Sequence, residues 1–457
     1  MTARAVRAVV TLIAVLSAAR FAAAAATPAP SVAADQRPWI VVSDIHYAPY
    51  GSNGRAKDPS PLGSDTNPAL FDSFLAELAR TERNPPVVFI AGDFLGHGFP
   101  IARAATTMAY LATRFDRVFP HAQFVITLGN NDSSCGDYET SVDGSFLRAV
   151  ARAWEPLVDR RGAAPDFVRT FSHDGSYVAR LPRAGYRAVV VNDVYGALRY
   201  RNACGTGDPA ATSLHDLTRQ LARGAGTRTW LVTHIPPGID AYATAHIAHR
   251  LVVVPFMRSG MREGLVDAIG APANRVSLVI AGHTHHFSFR LSDAAHASRD
   301  VPILVAPSIS PIFRNAPSFL SLDVAPNGTV RDIAETSYLD GAWRRLGSLR
   351  EAGVASFTAR ELVRYRERLE RGGAARDAYV RLYAGGTSPE IDDRNWPVYD
   401  CAIAEFSVSA FATCSGGGVS VLTRAVRAAA LVGSAVVAAS VFALAIARRR
   451  KTRARSF

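Results

Sequence analysis

Residues 39–46 read WIVVSDIH: four large apolar residues, a serine, and then Asp44 and His46, two side chains able to bind metal, two positions apart. A short apolar run of this composition fits a buried strand, and alternation along an extended chain sends Asp44 and His46 to one side. The same pattern returns four more times. VVFIAGDF at 87–94 delivers Asp93, FVITLGNN at 124–131 delivers Asn130, TWLVTHIP at 229–236 delivers His234, and LVIAGHTHH at 278–286 delivers His283 and His285. Open α/β sheets bind ligands where strands present their carboxyl ends, so these runs point to one site built from strand ends. One histidine after a strand is usually a satisfied polar residue. Seven oxygen and imidazole donors in series are instead a metal-binding set, and without thiolate they suit zinc, manganese or iron and do not choose among them.

Working outward, apolar runs at 39–43, 87–91, 124–128, 188–191, 229–232, 278–281 and 303–306 alternate with helical patterns, which predicts an α/β layered core. Asn67-Pro68 offers a cap and a first-turn proline for a helix carrying Phe71, Phe74, Leu75 and Leu78. Residues 318–330 (SFLSLDVAPNGTV) read as a hairpin turning at Asn327-Gly328. After about Asp340 the pattern becomes helical and charged, with Thr358 and Glu361 as a capping box and an end at Gly372-Gly373.

Residues 1–26 read as an export signal: Arg4 and Arg7 precede an apolar stretch that ends in small residues. A linker at 27–38, a metallophosphoesterase domain at 39–340 and a helical C-terminal appendage at 341–423 would follow, the middle assignment resting on the resemblance described below. Residues 428–447 (AAALVGSAVVAASVFALAIA) carry no charge and have the length of one transmembrane helix. The basic tail at 448–457 would then be cytoplasmic, leaving the body outside, at the periplasmic face of a bacterial inner membrane. Nine of the 51 basic residues lie in the two end segments, which contain no acidic residue, so the remainder has 42 basic against 39 acidic residues. No basic stripe interleaved with aromatics occurs, and a nucleic-acid patch is not expected. Four cysteines in an exported chain predict disulfides. The expected pairs are Cys135 with Cys204 and Cys401 with Cys414, each flanking a separate part of the chain.

The ordered set DxH, GD, GN, H and GHxH resembles the calcineurin-like metallophosphoesterase family over residues 39–306. Within it the chain looks most like the acid-sphingomyelinase-like phosphodiesterases, through His97 four residues after Asp93, APSISPIFRNAPSF at 306–319, TSYL at 336–339 and a cysteine-bearing helical C-terminal part. The resemblance implies a layered β-sandwich flanked by helices and two divalent metal ions. One ion would take Asp44, His46 and His285, the other Asn130, His234 and His283, with Asp93 bridging and a bridging hydroxide as nucleophile. The position after Asn130 departs from the pattern: similar proteins carry a histidine that acts on the leaving group, and here it is Asn131, which can position phosphate but cannot deliver a proton. His97 is then the candidate acid. The expected substrate is a phosphoester or phosphoanhydride of a small molecule or lipid. Rivals are a polyphosphate or nucleotide phosphatase, and a non-catalytic receptor or scaffold on the same fold.

Overall fold

The computed structural model describes residues 37–224, 226–247, 252–292, 300–387 and 390–416. The expected export segment, most of the linker, the 428–447 span and the basic tail fall outside these residues. Among the described residues no helix is long and apolar enough to cross a membrane.

Among the described residues twelve strands form two six-stranded mixed sheets. The first contains β1 (Trp39–Val42), β2 (Val87–Ala91) and β3 (Gln123–Thr127), which run parallel, and an antiparallel meander of β10 (Ser318–Val324), β11 (Val330–Leu339) and β12 (Ala342–Ser348) joined to β1. The second contains β4 (Tyr177–Arg180), β5 (Tyr186–Val190), β6 (Arg228–Val232), β7 (Val276–Ala281), β8 (Ser288–Leu291) and β9 (Pro302–Val305), in the order β4-β5-β6-β7-β9-β8. Every apolar run singled out in the sequence is a strand, and the 318–330 hairpin forms at the expected turn.

Trp39 on β1, Phe89 on β2 and Trp230 on β6 pack across the sandwich with ring centroids 5.0–6.1 Å apart, which locks the two sheets face to face. Helices α1 (Pro68–Thr81), α2 (Ala104–Val118) and α3 (Ser145–Val158) supply Phe71, Phe74, Phe115 and Trp154 to the same core. At α1 the Asn67 side chain accepts from the Leu70 N–H at 2.9 Å and Pro68 opens the first turn, as the sequence predicts. The second sheet is covered by α4 (Ala210–Ala222) and α5 (Ser259–Gly270), whose Leu217, Leu221 and Leu265 pack on Leu231 and Val279. The C-terminal helices are α6 (Ala359–Glu370), α7 (Ala374–Tyr383), α8 (Trp396–Ala404) and α9 (Val408–Cys414). Tyr365 and Tyr379 from the first two meet Phe289 of β8 at 5.8 Å.

Two expectations are corrected. The chain beyond Asp340 is not purely helical, because Ala342–Ser348 (AWRRLGS) pairs with β11 as a sheet-edge strand. An edge strand facing solvent needs no apolar alternation, so its arginines disguise it. Thr358 does precede α6, but its side chain makes no capping bond. The disulfides Cys135–Cys204 and Cys401–Cys414 form as expected, and two disulfides suit an extracytoplasmic location.

Glu335 on β11 faces the core, 2% exposed, and the Ser318 and Ser337 hydroxyls beside it do not offset its burial. Burial pushes its pKa well above the ordinary range. The folded state therefore keeps a proton that the unfolded chain releases above about pH 4.3, and stability falls as pH rises through that point. Glu335→Gln should raise the melting temperature at pH 7 and lose the advantage near pH 4, as read by thermal denaturation across that range; an equal shift at both pH values would contradict it.

Candidate metal centre

The parallel strands of both sheets end at the same edge of the sandwich, and the turns that follow carry the predicted donors. Asp44 and His46 follow β1, Asp93 follows β2, Asn130 follows β3, His234 follows β6, and His283 and His285 follow β7. Five of these seven, Asp44, His46, Asp93, His283 and His285, have φ between 44° and 70°. Non-glycine residues rarely take up that left-handed region, and clusters of them mark functional sites.

The donor atoms converge as two groups. His46 Nε2 lies 3.0 Å from His285 Nε2, and His285 Nε2 lies 3.5 Å from Asp44 Oδ1. In the other group His234 Nε2 is 3.2 Å from both His283 Nδ1 and Asn130 Oδ1. Asp93 Oδ2 stands between the groups, 3.4 Å from His46 Nε2 and 3.4 Å from His234 Nε2. Metal–ligand bonds of about 2.0–2.2 Å set neighbouring donors roughly 3.0–3.5 Å apart, so these spacings suit ions at the two foci, with Asp93 shared.

The outer contacts turn each donor inward. The Leu95 carbonyl sits 3.1 Å from His46 Nδ1 and the Ala91 carbonyl 2.7 Å from His234 Nδ1, which leaves each Nε2 lone pair facing the site. Asp44 Oδ2 accepts from the His283 N–H at 2.9 Å and from Ser43 Oγ at 2.5 Å, so Oδ1 points at the imidazoles. Close approach explains the motif glycines: a Cβ on Gly129 would lie 2.1 Å from Asp93 Oδ1, and one on Gly282 1.9 Å from Ser43 Oγ.

The electrostatics call for cations. Burial pushes Asp44 up to about 7, and drives His46 down to about 4 and His283 down to about 3. His285 is also held well below its usual range by burial. Against the effect of burial, Asp93 lifts His234 to about 10, and His234 and His46 hold Asp93 well below the carboxylate range. The protein alone thus carries one buried ion pair among neutral imidazoles that are already in the metal-binding form. Divalent ions would replace the proton on His234 and reverse the penalty on Asp44.

His97 lies at the mouth, stacked on His46 with centroids 4.4 Å apart. Its Nδ1 is 3.0 Å from Asp65 Oδ1, while its backbone N–H donates to Asp65 Oδ2 at 2.8 Å. The Asp65 carboxylate outweighs burial and raises the His97 pKa above the usual histidine range. Asn131 turns toward the ligands: its backbone N–H donates to Asp93 Oδ1 at 2.8 Å and its amide to Asp93 Oδ2 at 3.0 Å. His286 lines the same cavity, stacked on Tyr383 at 4.6 Å.

Sequence reading missed Asp65, Asp132 and Asp193. Asp132 accepts from the backbone N–H groups of Phe94, Leu95 and Gly129, and Asp193 from those of His234 and Ile235. Both follow strands and could have been sought as aspartates beside ligand motifs, whereas Asp65 sits in a loop with no local signal.

A profile of the calcineurin-like phosphoesterase family matches residues 38–287. Sphingomyelinase phosphodiesterase D of Dictyostelium discoideum is 24% identical over 263 residues, 56% of each chain. A cyclic GMP-AMP phosphodiesterase of Bos taurus is 23% identical over 269 residues, again 56% of each. The chain thus spans about half the length of the curated relatives it matches. The solved structure of PhoD aligns at 13% identity with a TM-score of 0.38, covering 70% of this chain and 73% of that one.

The cradle around Asp93 has no room for one further carbon atom at Gly129. Gly129→Ala should lower the metal bound per chain, measured by elemental analysis, with disulfides and far-UV circular dichroism intact. Gly260→Ala, where a Cβ meets nothing within 4 Å, should not. Full metal content in the Gly129 variant would remove Asp93 from the centre.

Proposed function

The chain belongs to the calcineurin-like phosphoesterase family of phosphoric ester hydrolases, and from that premise we propose that it cleaves phosphodiester or phosphoanhydride bonds outside the cytoplasm as a sphingomyelinase-like phosphodiesterase. The observation that carries the reading is the convergence of seven strand-end donors at ion-binding spacing around Asp93. In this reading Asp44, His46 and His285 hold one divalent ion and Asn130, His234 and His283 the other, with Asp93 between. Such ions supply Lewis-acid stabilisation of phosphoryl charge and a nucleophile active at neutral pH.

The protein's own groups do the remaining work. The site opens into a cavity of about 540 Å³ lined by Phe256, Phe289, Tyr379, Tyr383 and Tyr399, room for an organic moiety beside the scissile phosphate. His97, held by Asp65 at the mouth, is the proton donor to the departing oxygen. Asn131 fixes Asp93 and offers no proton, so the site relies on His97 or on leaving groups that depart as anions. The intact ligand set weighs against the receptor or scaffold reading.

Acid catalysis typically contributes about 10²–10⁴-fold. His97→Gln, at matched metal content, should therefore slow hydrolysis of alkyl phosphodiesters by that order and of p-nitrophenyl phosphodiesters far less, as measured by kcat on both. Equal losses would exclude a proton-donating role. Membrane attachment through 428–447 is tested separately: a reporter active only in the cytoplasm, fused after Phe457, should work, while external protease should reach the body. The reverse pattern would invert the topology.

A further inference from the structure

The cavity wall beside Asn130 contains a charge that the metal chemistry does not use. Arg199 lines the cavity, and its guanidinium carbon lies 4.8 Å from the centre of the Tyr138 ring. The hydroxyl at the other end of that ring is 3.3 Å from His283 Nε2. One tyrosine therefore spans the distance from an ion-binding imidazole to an arginine. The arginine side chain is 72% exposed and, among the described residues, makes no hydrogen bond; its ionic neighbour, Asp137 Oδ2, stands 3.6 Å away. Asp137 is itself engaged through Oδ1, which accepts from the Asn130 amide at 2.7 Å. Exposed pairs at such separation contribute little, so the guanidinium keeps its forked donors for a ligand. The other cavity arginine, Arg290, is committed to the carbonyls of Pro237 and Ile239 at 3.1 and 3.0 Å.

The root of this side chain is fixed although its head is free. The Leu198 N–H donates to the Phe256 carbonyl at 2.9 Å, the Arg201 N–H to the Tyr138 carbonyl at 3.0 Å, and Tyr200 Oη to the Thr140 carbonyl at 2.8 Å. The Cys135–Cys204 disulfide fastens the same loop to the one that carries Asp137 and Tyr138. A cation set on a stapled loop beside a phosphoryl-binding centre is built to receive an anion, and a guanidinium matches phosphate with two parallel hydrogen bonds.

We propose that Arg199 forms a second anion subsite, and that the substrate carries a phosphoryl group beyond the one cleaved, as phosphoanhydrides and multiply phosphorylated nucleotides do. The proposal rests on the phosphoesterase reading and selects within it against substrates with a single phosphate. Its test is calorimetric titration of the full-length, manganese-loaded protein at fixed free metal with two non-hydrolysable probes, methylenediphosphonate and methylphosphonate. The protein should prefer the diphosphonate by about tenfold or more. Arg199→Gln should erase most of that preference while leaving methylphosphonate affinity unchanged, and Arg199→Lys should retain part of it. An unchanged preference in Arg199→Gln, or equal weakening of both probes, would overturn the subsite. Failure of the loaded protein to cleave any phosphoester, with the preference intact, would instead overturn the catalytic reading and leave the subsite standing.

Discussion

Everything at the active edge depends on a backbone constraint: five donor residues are held in left-handed conformations that L-amino acids avoid. At roughly 1 kcal/mol or more each, their combined cost is comparable to the whole net stability of a typical domain, about 5–15 kcal/mol. Strain of that size persists only where the surroundings over-determine it. The Asp44 N–H is tied to the Gly92 carbonyl at 3.0 Å, the His46 N–H to the Asp93 carbonyl at 2.9 Å, and the Gly282 N–H to the His234 carbonyl at 2.9 Å. These bonds tie the turns after β1 and β2 within one sheet and those after β6 and β7 within the other, while the His283 N–H on Asp44 Oδ2 at 2.9 Å and His234 Nδ1 at 2.7 Å from the Ala91 carbonyl hold the ends of the two sheets to one another. The Trp39, Phe89 and Trp230 packing beneath them keeps the sheets from sliding apart.

This architecture explains what was legible in the sequence. Each ligand is local to a strand end, and a buried parallel strand announces itself as an apolar run, so WIVVSDIH, VVFIAGDF and LVIAGHTHH give both the strand and its donor. The glycines could be read as well, because close packing on Asp93 and Ser43 leaves no room for a side chain at 129 and 282. What could not be read is whatever depends on distant chain segments meeting. Asp65 reaches His97 from a loop with no periodicity, and Arg199 reaches the cavity because residues far apart in sequence are stapled together. The strand Ala342–Ser348 escaped for a different reason, its exposed edge position, where arginines replace the apolar alternation.

The two halves of the site differ in kind. On the ligand side six of the seven donors are buried and His283 is half-buried, and Asp132 and Asp193 clamp the backbone from behind, each accepting from several N–H groups. Carboxylates used this way act as rigid connectors, since a misplaced donor of even an ångström would weaken an ion shared through Asp93. On the substrate side the wall is assembled from the C-terminal helices, whose tyrosines Tyr379, Tyr383 and Tyr399 enter the cavity, and from two surface loops joined by a disulfide. A wall made of separable pieces can change its selectivity without disturbing the ions.

Asn131 belongs to the rigid half, as do its neighbours Asn130 among the donors and Asp132 behind them. Both of its donors end on Asp93, the one carboxylate that stands between the two donor groups. A histidine there could exchange protons with that carboxylate or compete for an ion, whereas an amide holds it in place at any pH and carries no charge. Asn131 thus offers no proton to a leaving group and holds the Asp93 carboxylate in place. That arrangement is tolerable where the leaving group needs no proton, as in a phosphoanhydride, whose departing phosphate is already stable as an anion. In the proposed reading, Asn131 on Asp93 and the anion subsite at Arg199 would meet one demand, a substrate whose second phosphoryl group is both the handle that is gripped and part of what leaves.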